Sequence, residues 1–236
     1  MIEYLASQLY NNNIEFTPKK LQMLMQYHDL LYQTNEIINL TRIPSGKEAI
    51  DKHFIDSLIA LKAYNFHGKS IVDIGTGAGF PGIPLAIFVD DSNFLLIDSL
   101  NKRIMFIDKV LQALNIKNVE CLNIRAEDAG RVVQYREKFD IAVSRALSNM
   151  SVLSEYMLPL VKLGGAAIAY KGNVSDEELT DSQYAMKEMG AEKYSVYDAS
   201  ISGTDLVRKF IIMNKTTATP KKYPRRSTNI NKKPLI

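Results

Sequence analysis

The stretch that most constrains this chain is Val72-Asp73-Ile74-Gly75-Thr76-Gly77-Ala78-Gly79-Phe80-Pro81-Gly82. It begins in a short apolar run, Ser70 to Ile74, that reads as a buried strand, and it leads into a helical segment ending near Phe88. Glycines at a strand-to-helix turn let the backbone bend tightly and approach a ligand without a Cβ in the way. A turn of that kind belongs to α/β folds in which a ligand sits at the carboxyl ends of parallel strands.

The downstream sequence repeats the pattern. Residues 94–97, 119–122, 139–143 and 165–170 read as strands, with helices over 102–114 and 150–158. Two late strands, near 192–197 and 208–213, complete a mostly parallel seven-stranded sheet with helices on both faces. Residues 1–64 read as a helical region. Leu21, Leu24, Met25, Leu30 and Leu31 suit an apolar helix face behind a Thr17-Pro18 start, and Ile50, Phe54, Ile55, Leu58 and Ile59 recur at helical spacing after a turn near 44–46. The expected division is 1–64 helical region, 65–214 sheet domain and 215–236 basic tail.

Glycine spacing narrows the ligand. The dinucleotide fingerprint G-x-G-x-x-G would need glycine at position 80, which is Phe80. The chain instead has D-x-G-x-G-x-G, the spacing of S-adenosylmethionine-dependent methyltransferases, in which the loop cradles amino acid and ribose rather than pyrophosphate. Gly75 and Gly77 are the loop candidates. Asp98 ends the second strand and suits ribose hydroxyls, although the same position serves NAD and a carboxylate there also caps a helix. Ala126-Glu127-Asp128, after the third strand, suits the adenine edge; the two acids equally suit a helix start. The expected product is S-adenosylhomocysteine.

Acceptors leave different marks. Amino-nitrogen methylation usually shows Asn or Asp with Pro-Pro and an aromatic after the fourth strand, where this chain has Ser144-Arg145-Ala146-Leu147. Carbon-5 methylation needs a cysteine nucleophile. The single cysteine, Cys121, lies on the third strand and reads as a small core residue. A ring nitrogen such as guanine N7 carries a lone pair and no proton, so it needs neither base nor covalent catalysis. Arg145 and Lys171, at the ends of the fourth and fifth strands, are positioning candidates, and surface ion pairing is the plainer role for each.

Charge points to the partner. The formal charge is only +3, but seven lysines and arginines fall between Lys215 and Ile236, a stretch with no Asp or Glu, and the rest of the chain is slightly acidic. A basic tail on a near-neutral body suggests a polyanion or, more simply, a solubilising segment. Its mixture of Thr, Pro, Lys, Arg and Asn reads as one that packs no core. One cysteine excludes an internal disulfide and a cysteine-based zinc site. The absence of a long apolar run and of a signal-like N-terminus gives a cytoplasmic expectation without membrane or metal.

Together these residues resemble the glucose-inhibited division protein B family. The resemblance rests on Asn39-Leu40-Thr41, His53-Phe54-Ile55-Asp56-Ser57-Leu58, the glycine loop through Phe80-Pro81-Gly82-Ile83-Pro84-Leu85, and Asp98-Ser99-Leu100-Asn101-Lys102-Arg103. Ser144-Arg145-Ala146, Lys171-Gly172, Tyr223-Pro224-Arg225-Arg226 and Lys232-Lys233-Pro234-Leu235 extend it to the C-terminus. Asn101 stands where glycine is common. The resemblance implies a class I S-adenosylmethionine-dependent methyltransferase fold with an N-terminal helical region. It also implies N7 methylation of a guanine in the decoding-region loop of 16S rRNA, on the RNA or the small ribosomal subunit. Cofactor contacts carried over fall at Gly75, Phe80, Ala126, Glu127 and Arg145. RNA-side candidates are His53, Lys171, Lys221, Lys222, Arg225 and Arg226, with Tyr223 as a base-stacking ring. Neutralising the four tail charges is expected to weaken RNA binding and flatten its salt slope without changing cofactor affinity. The alternatives are a methyltransferase for another RNA or a small molecule, a non-catalytic S-adenosylmethionine-sensing RNA binder, and an NAD enzyme. Nothing in the sequence calls for an oligomer, so a monomer is expected.

Overall fold

A computed structural model describes residues 1–145 and 148–236. Ala146 and Leu147, which close two of the motifs above, lie outside the described residues. Seven strands form one sheet: β1 (Ser70–Ile74), β2 (Asn93–Asp98), β3 (Val119–Asn123), β4 (Phe139–Arg145), β5 (Val161–Lys171), β6 (Tyr194–Ser200) and β7 (Val207–Asn214). Their order is β3-β2-β1-β4-β5-β7-β6. The first five are parallel, and β7 runs antiparallel between β5 and β6. Strand order reverses between β1 and β4, and the glycine loop leaves β1 at that switch point, where crossovers diverge and open a crevice.

Alternation along β1 feeds two cores. Ile71 faces one apolar cluster, whereas Val72 and Ile74 face the other. The first cluster is covered by α1 (Ile2–Asn11), α2 (Pro18–Asn35), α5 (Gly82–Phe88) and α6 (Asn101–Ala113). A continuous helical run joins them: α3 (Lys47–Ala49), a π turn (Ile50–Ile55), α4 (Asp56–Leu58) and a 3-10 turn (Ile59–Lys62). The N-terminal helices therefore share a core with the sheet. The second face carries α7 (Ala126–Ala129), α8 (Met150–Met157) and α9 (Asp176–Glu188). Thr17 caps α2 by accepting from the Lys20 amide, with Pro18 in the first turn. Among the described residues, no helix is long and apolar enough to cross a membrane.

The C-terminal segment departs from its composition. It packs on the second face and ends in α10 (Ser227–Lys232), with Lys215, Thr219, Tyr223 and Ile230 buried. Polar groups are tolerated there because they are bonded. Lys215 Nζ donates to the carbonyls of Leu158 (2.9 Å) and Met189 (2.7 Å) and to Thr219 Oγ1, and lies 3.3 Å from Glu137. Burial pushes its pKa down to about 8. Composition reads these groups as solvated because it carries no record of the carbonyls that meet them.

Candidate active site

A cavity of about 380 Å³ opens at the carboxyl ends of β1, β2, β3 and β4. That size falls in the range of small-molecule sites. Gly75, Gly77, Phe80, Asp98, Ala126, Glu127 and Arg145 all line it, as do Leu40, His53, Arg103 and Tyr156. The seven cofactor candidates, spread over seventy positions of sequence, thus meet in one place.

The loop is braced from behind. Asp73 is fully buried, and its Oδ2 accepts from Thr76 Oγ1 (2.6 Å) and the Gly82 amide (2.8 Å). Burial pushes its pKa up to about 6. Gly77 has φ +62°, and a Cβ there would meet nothing within 4 Å, so its open side is space for a ligand. Gly79 is required for closeness: a Cβ would lie 2.4 Å from Ile83 Cδ1 and 2.8 Å from the Tyr27 hydroxyl. That hydroxyl donates to the Ala78 carbonyl, tying α2 to the loop.

Two ends of the cavity differ in chemistry. At one end Phe80 stacks between rings, with Tyr27 at 5.0 Å and His53 at 4.4 Å between centroids, and the Arg145 guanidinium lies 5.3 Å from its centroid. At the other end Ile97, Ile124, Ala126 and Tyr156 supply apolar wall beside Glu127. Asp98 stands between them, buried; Oδ2 accepts from the Gly77 amide (3.0 Å) and Arg103 Nη1 (2.9 Å), and Oδ1 from the Leu100 amide (2.9 Å). Oδ1, with one hydrogen bond accepted, keeps acceptor capacity for a ribose hydroxyl. These residues fit S-adenosylmethionine: a flat apolar slot for adenine, a carboxylate for ribose, and an aromatic wall with open glycine backbone for the methionine end.

Comparison with known proteins agrees. The family described as rRNA small subunit methyltransferase G matches residues 20–207. Over 223 residues, 94% of this chain and 93% of the relative, the chain is 48% identical to Ribosomal RNA small subunit methyltransferase G of Clostridium perfringens (strain SM101 / Type A). It is 43% identical over 232 residues to the protein of that name from Clostridium botulinum (strain ATCC 19397 / Type A), covering 98% and 97% of the two chains. The chain belongs to the rRNA small subunit methyltransferase G family. Its fold is that of the class I methyltransferases. The precorrin-6y C5,15-methyltransferase of Geobacter metallireducens GS-15 superposes with TM-score 0.51 at 14% identity, over 77% of this chain and 95% of that one. The YcgJ protein of Bacillus subtilis superposes with TM-score 0.53 at 11% identity, over 70% and 100%. At such identities the likeness is one of fold.

At the meeting of the two faces of this site, Arg145 is a hub. Its Nη1 donates to Asp56 Oδ2 (2.7 Å) and the Lys52 carbonyl (3.1 Å), and its Nη2 lies 3.4 Å from His53 Nδ1. Asp56, shared with Arg208, offsets part of its charge beside the place a sulfonium would take. Because a guanidinium only donates, His53 Nδ1 is the acceptor and Nε2–H faces Thr41 Oγ1 at 2.9 Å. Burial, with Arg145 and His28 nearby, pushes His53 down to about 3, so the ring is neutral. Thr41 reaches it because Asn35 Oδ1 accepts from the amides of Leu40 and Thr41 (2.8 and 2.9 Å). The motifs Asn39–Thr41 and His53–Leu58 therefore form one device, seated on the π turn, a form frequent at functional sites.

A second cavity, of about 440 Å³, shares His53 and Arg145 with the first and is lined by Lys52, Asp56, Tyr170, Lys171 and Arg208 among others. Arg208 pairs with Asp56, its Nη2 lying 3.2 Å from Oδ2. Lys171 Nζ donates to the Ser148 carbonyl (3.0 Å) and Glu178 Oε1 (2.9 Å).

The tail candidates separate. Lys221, Lys222 and Arg226 are exposed, with Lys222 3.3 Å from Glu188. Arg225 instead donates its backbone amide (2.7 Å), Nε and Nη2 (2.7 Å) to the buried Glu155. Tyr223 is buried with its hydroxyl donating to Glu188, so base stacking by this ring is ruled out in this packing. Cys121 is half-buried under α6, its thiol donating to Asp108 Oδ1 and pushed up to about 12, which removes it as a nucleophile. Sequence reasoning missed Tyr27, Arg103, Tyr156 and Arg208, and gave Asp73 no role although it opens the D-x-G-x-G-x-G motif.

Proposed function

We propose that this chain transfers the methyl group of S-adenosylmethionine to N7 of a guanine in the decoding-region loop of 16S rRNA. Membership of the family carries S-adenosylmethionine-dependent methylation of ribosomal RNA; the acceptor atom, the loop and the residue roles are the proposal. S-adenosylmethionine would supply an electrophilic methyl on a sulfonium. Gly75 and Gly77, Phe80, Asp98, and Ala126 with Glu127 would hold its methionine, ribose and adenine parts. An rRNA substrate supports a cytoplasmic enzyme, and a monomer is the reading kept for the chain.

One observation carries the acceptor: the second cavity meets the first at His53 and Arg145, with Lys52, Lys171 and Arg208 on its walls. An extruded base and its phosphate suit such a cationic cavity. His53 has its lone pair facing Arg145 and its proton facing Thr41, so it serves as a wall and spacer rather than as a base. That chemistry matches guanine N7, whose lone pair attacks without losing a proton. The work left to the residues is orientation and drying of the reacting pair. Arg145 is a positioning residue, held by Asp56, and Lys171 secures Ser148 beside the mouth. Lys221, Lys222 and Arg226 would neutralise flanking phosphates.

The test is chemical scission. Small-subunit RNA lacking its own methylation is treated with enzyme and S-adenosylmethionine, reduced with borohydride and cleaved with aniline, which breaks the chain at 7-methylguanosine. One new break in the decoding-region loop is expected. No break, with methyl groups incorporated, overturns the N7 assignment.

A further inference from the structure

The cofactor cavity is finished by the C-terminal segment. Ile230 of α10 is fully buried and packs in one cluster with Val152 and Tyr156 of α8 and with Ala126. Two of those neighbours, Ala126 and Tyr156, line the cavity at the end assigned to adenine. Asn231 Nδ2 donates to the Tyr156 hydroxyl at 2.9 Å. One residue before Tyr156, Glu155 is gripped by Arg225 through three of its nitrogens. The stretch behind α7 is clasped as well. Arg131 Nε donates to the Pro224 carbonyl (2.9 Å), Arg136 Nη1 to the Tyr223 carbonyl (2.8 Å), and a Cβ on Gly130 would lie 3.0 Å from Pro224. The segment therefore holds α7 and α8 against each other at one point, and that point is the adenine wall.

We propose that residues 223–233 position Tyr156 and Ala126 as the adenine wall, so that cofactor affinity depends on the same C-terminal stretch that carries the exposed Lys221, Lys222 and Arg226 assigned to RNA. Ile230 and Asn231 are positioning residues, acting through Tyr156. The inference rests on the reading of the cavity as an S-adenosylmethionine site. A loosened segment leaves the methionine end intact and opens the adenine end to water. Arg225 accordingly differs from Lys221, Lys222 and Arg226: its loss reaches the cofactor, whereas theirs reaches the RNA alone.

The probe is S-adenosylhomocysteine, titrated calorimetrically into the full-length wild type and the variants Tyr156→Ala, Ile230→Ala, Asn231→Ala and Tyr156→Ala/Ile230→Ala. Tyr156→Ala and Ile230→Ala should each raise Kd by about tenfold or more, the scale of a lost aromatic contact to a base. The double variant should be no weaker than Tyr156→Ala alone, since Ile230 acts through that ring. The mild surface change Asn231→Ala should raise the KM for S-adenosylmethionine with kcat and the RNA KM unchanged. A merely structural role would instead lower melting temperature and leave Kd alone. Unchanged Kd in folded Ile230→Ala and Asn231→Ala protein, or full additivity in the double variant, overturns the inference. Failure of the wild type to bind S-adenosylhomocysteine overturns the reading of the cavity, and this inference with it.

Discussion

His53 lies face to face with Phe80, their ring centroids 4.4 Å apart and their planes 11° from parallel. This pair joins the π turn of the N-terminal region to the glycine loop of the sheet. It makes the imidazole a structural wall that must stay uncharged, and stability inherits a pH dependence from it.

With its folded pKa near 3 and an ordinary value of 6.5, His53 takes up a proton on unfolding throughout that interval. Its contribution is fully present above pH 6.5 and is lost as pH falls from 6.5 towards 3. About 2 kcal/mol should go between pH 6.5 and pH 5, at ~1.4 kcal/mol per pH unit. Denaturant unfolding across that range checks it. His53→Phe, which keeps a ring on Phe80, should show a flatter profile between pH 6.5 and pH 5, and parallel profiles would contradict the assignment.

Asp56 is fully buried between Arg145 and Arg208. Removing it leaves two guanidiniums without their counter-charge. Asp56→Ala should therefore cost about 3–5 kcal/mol of stability. Asp56→Asn keeps the shape and should let both arginines drift. Asp56 lines only the second cavity but holds Arg145, which lines both, so S-adenosylhomocysteine affinity should fall far less than methyl transfer, which should drop on the order of 100-fold, the scale of an ångström's misplacement. Calorimetry alongside initial rates separates the two. Equal losses in both would place Asp56 in cofactor binding instead.

The exposed tail cations make a narrower claim. Replacing Lys221, Lys222 and Arg226 with alanine should reduce the slope of log K for RNA against log salt by about 2, since each neutralised phosphate in single-stranded RNA contributes ~0.7. Filter binding from low to moderate salt measures it, with S-adenosylhomocysteine affinity as the control. An unchanged slope would show that these residues do not meet phosphate.

The sheet, its seven strands and the ligand loop were legible because local signals and the fold agreed. Short apolar runs and period-3.6 patterns ran between turn residues, and the glycines sat where β1 ends. Cofactor candidates were legible because each lies at or just beyond the carboxyl end of a parallel strand. Contacts made across layers were not. Arg208 reaches Asp56 from a strand 152 positions away, and Tyr27 reaches Ala78 from a helix read only as an apolar face. The tail was misread for the same reason. Lys215 and Arg225 look solvated until the carbonyls of Leu158 and Met189 and the carboxylate of Glu155 are placed beside them.

The most direct measurement supplies the purified chain with methyl-labelled S-adenosylmethionine and small-subunit RNA lacking its own methylation, naked and as assembled subunit, and digests the product to nucleosides. The account predicts label in 7-methylguanosine and in no other nucleoside. Label in a different nucleoside, or no label from a chain that binds S-adenosylhomocysteine, would contradict it.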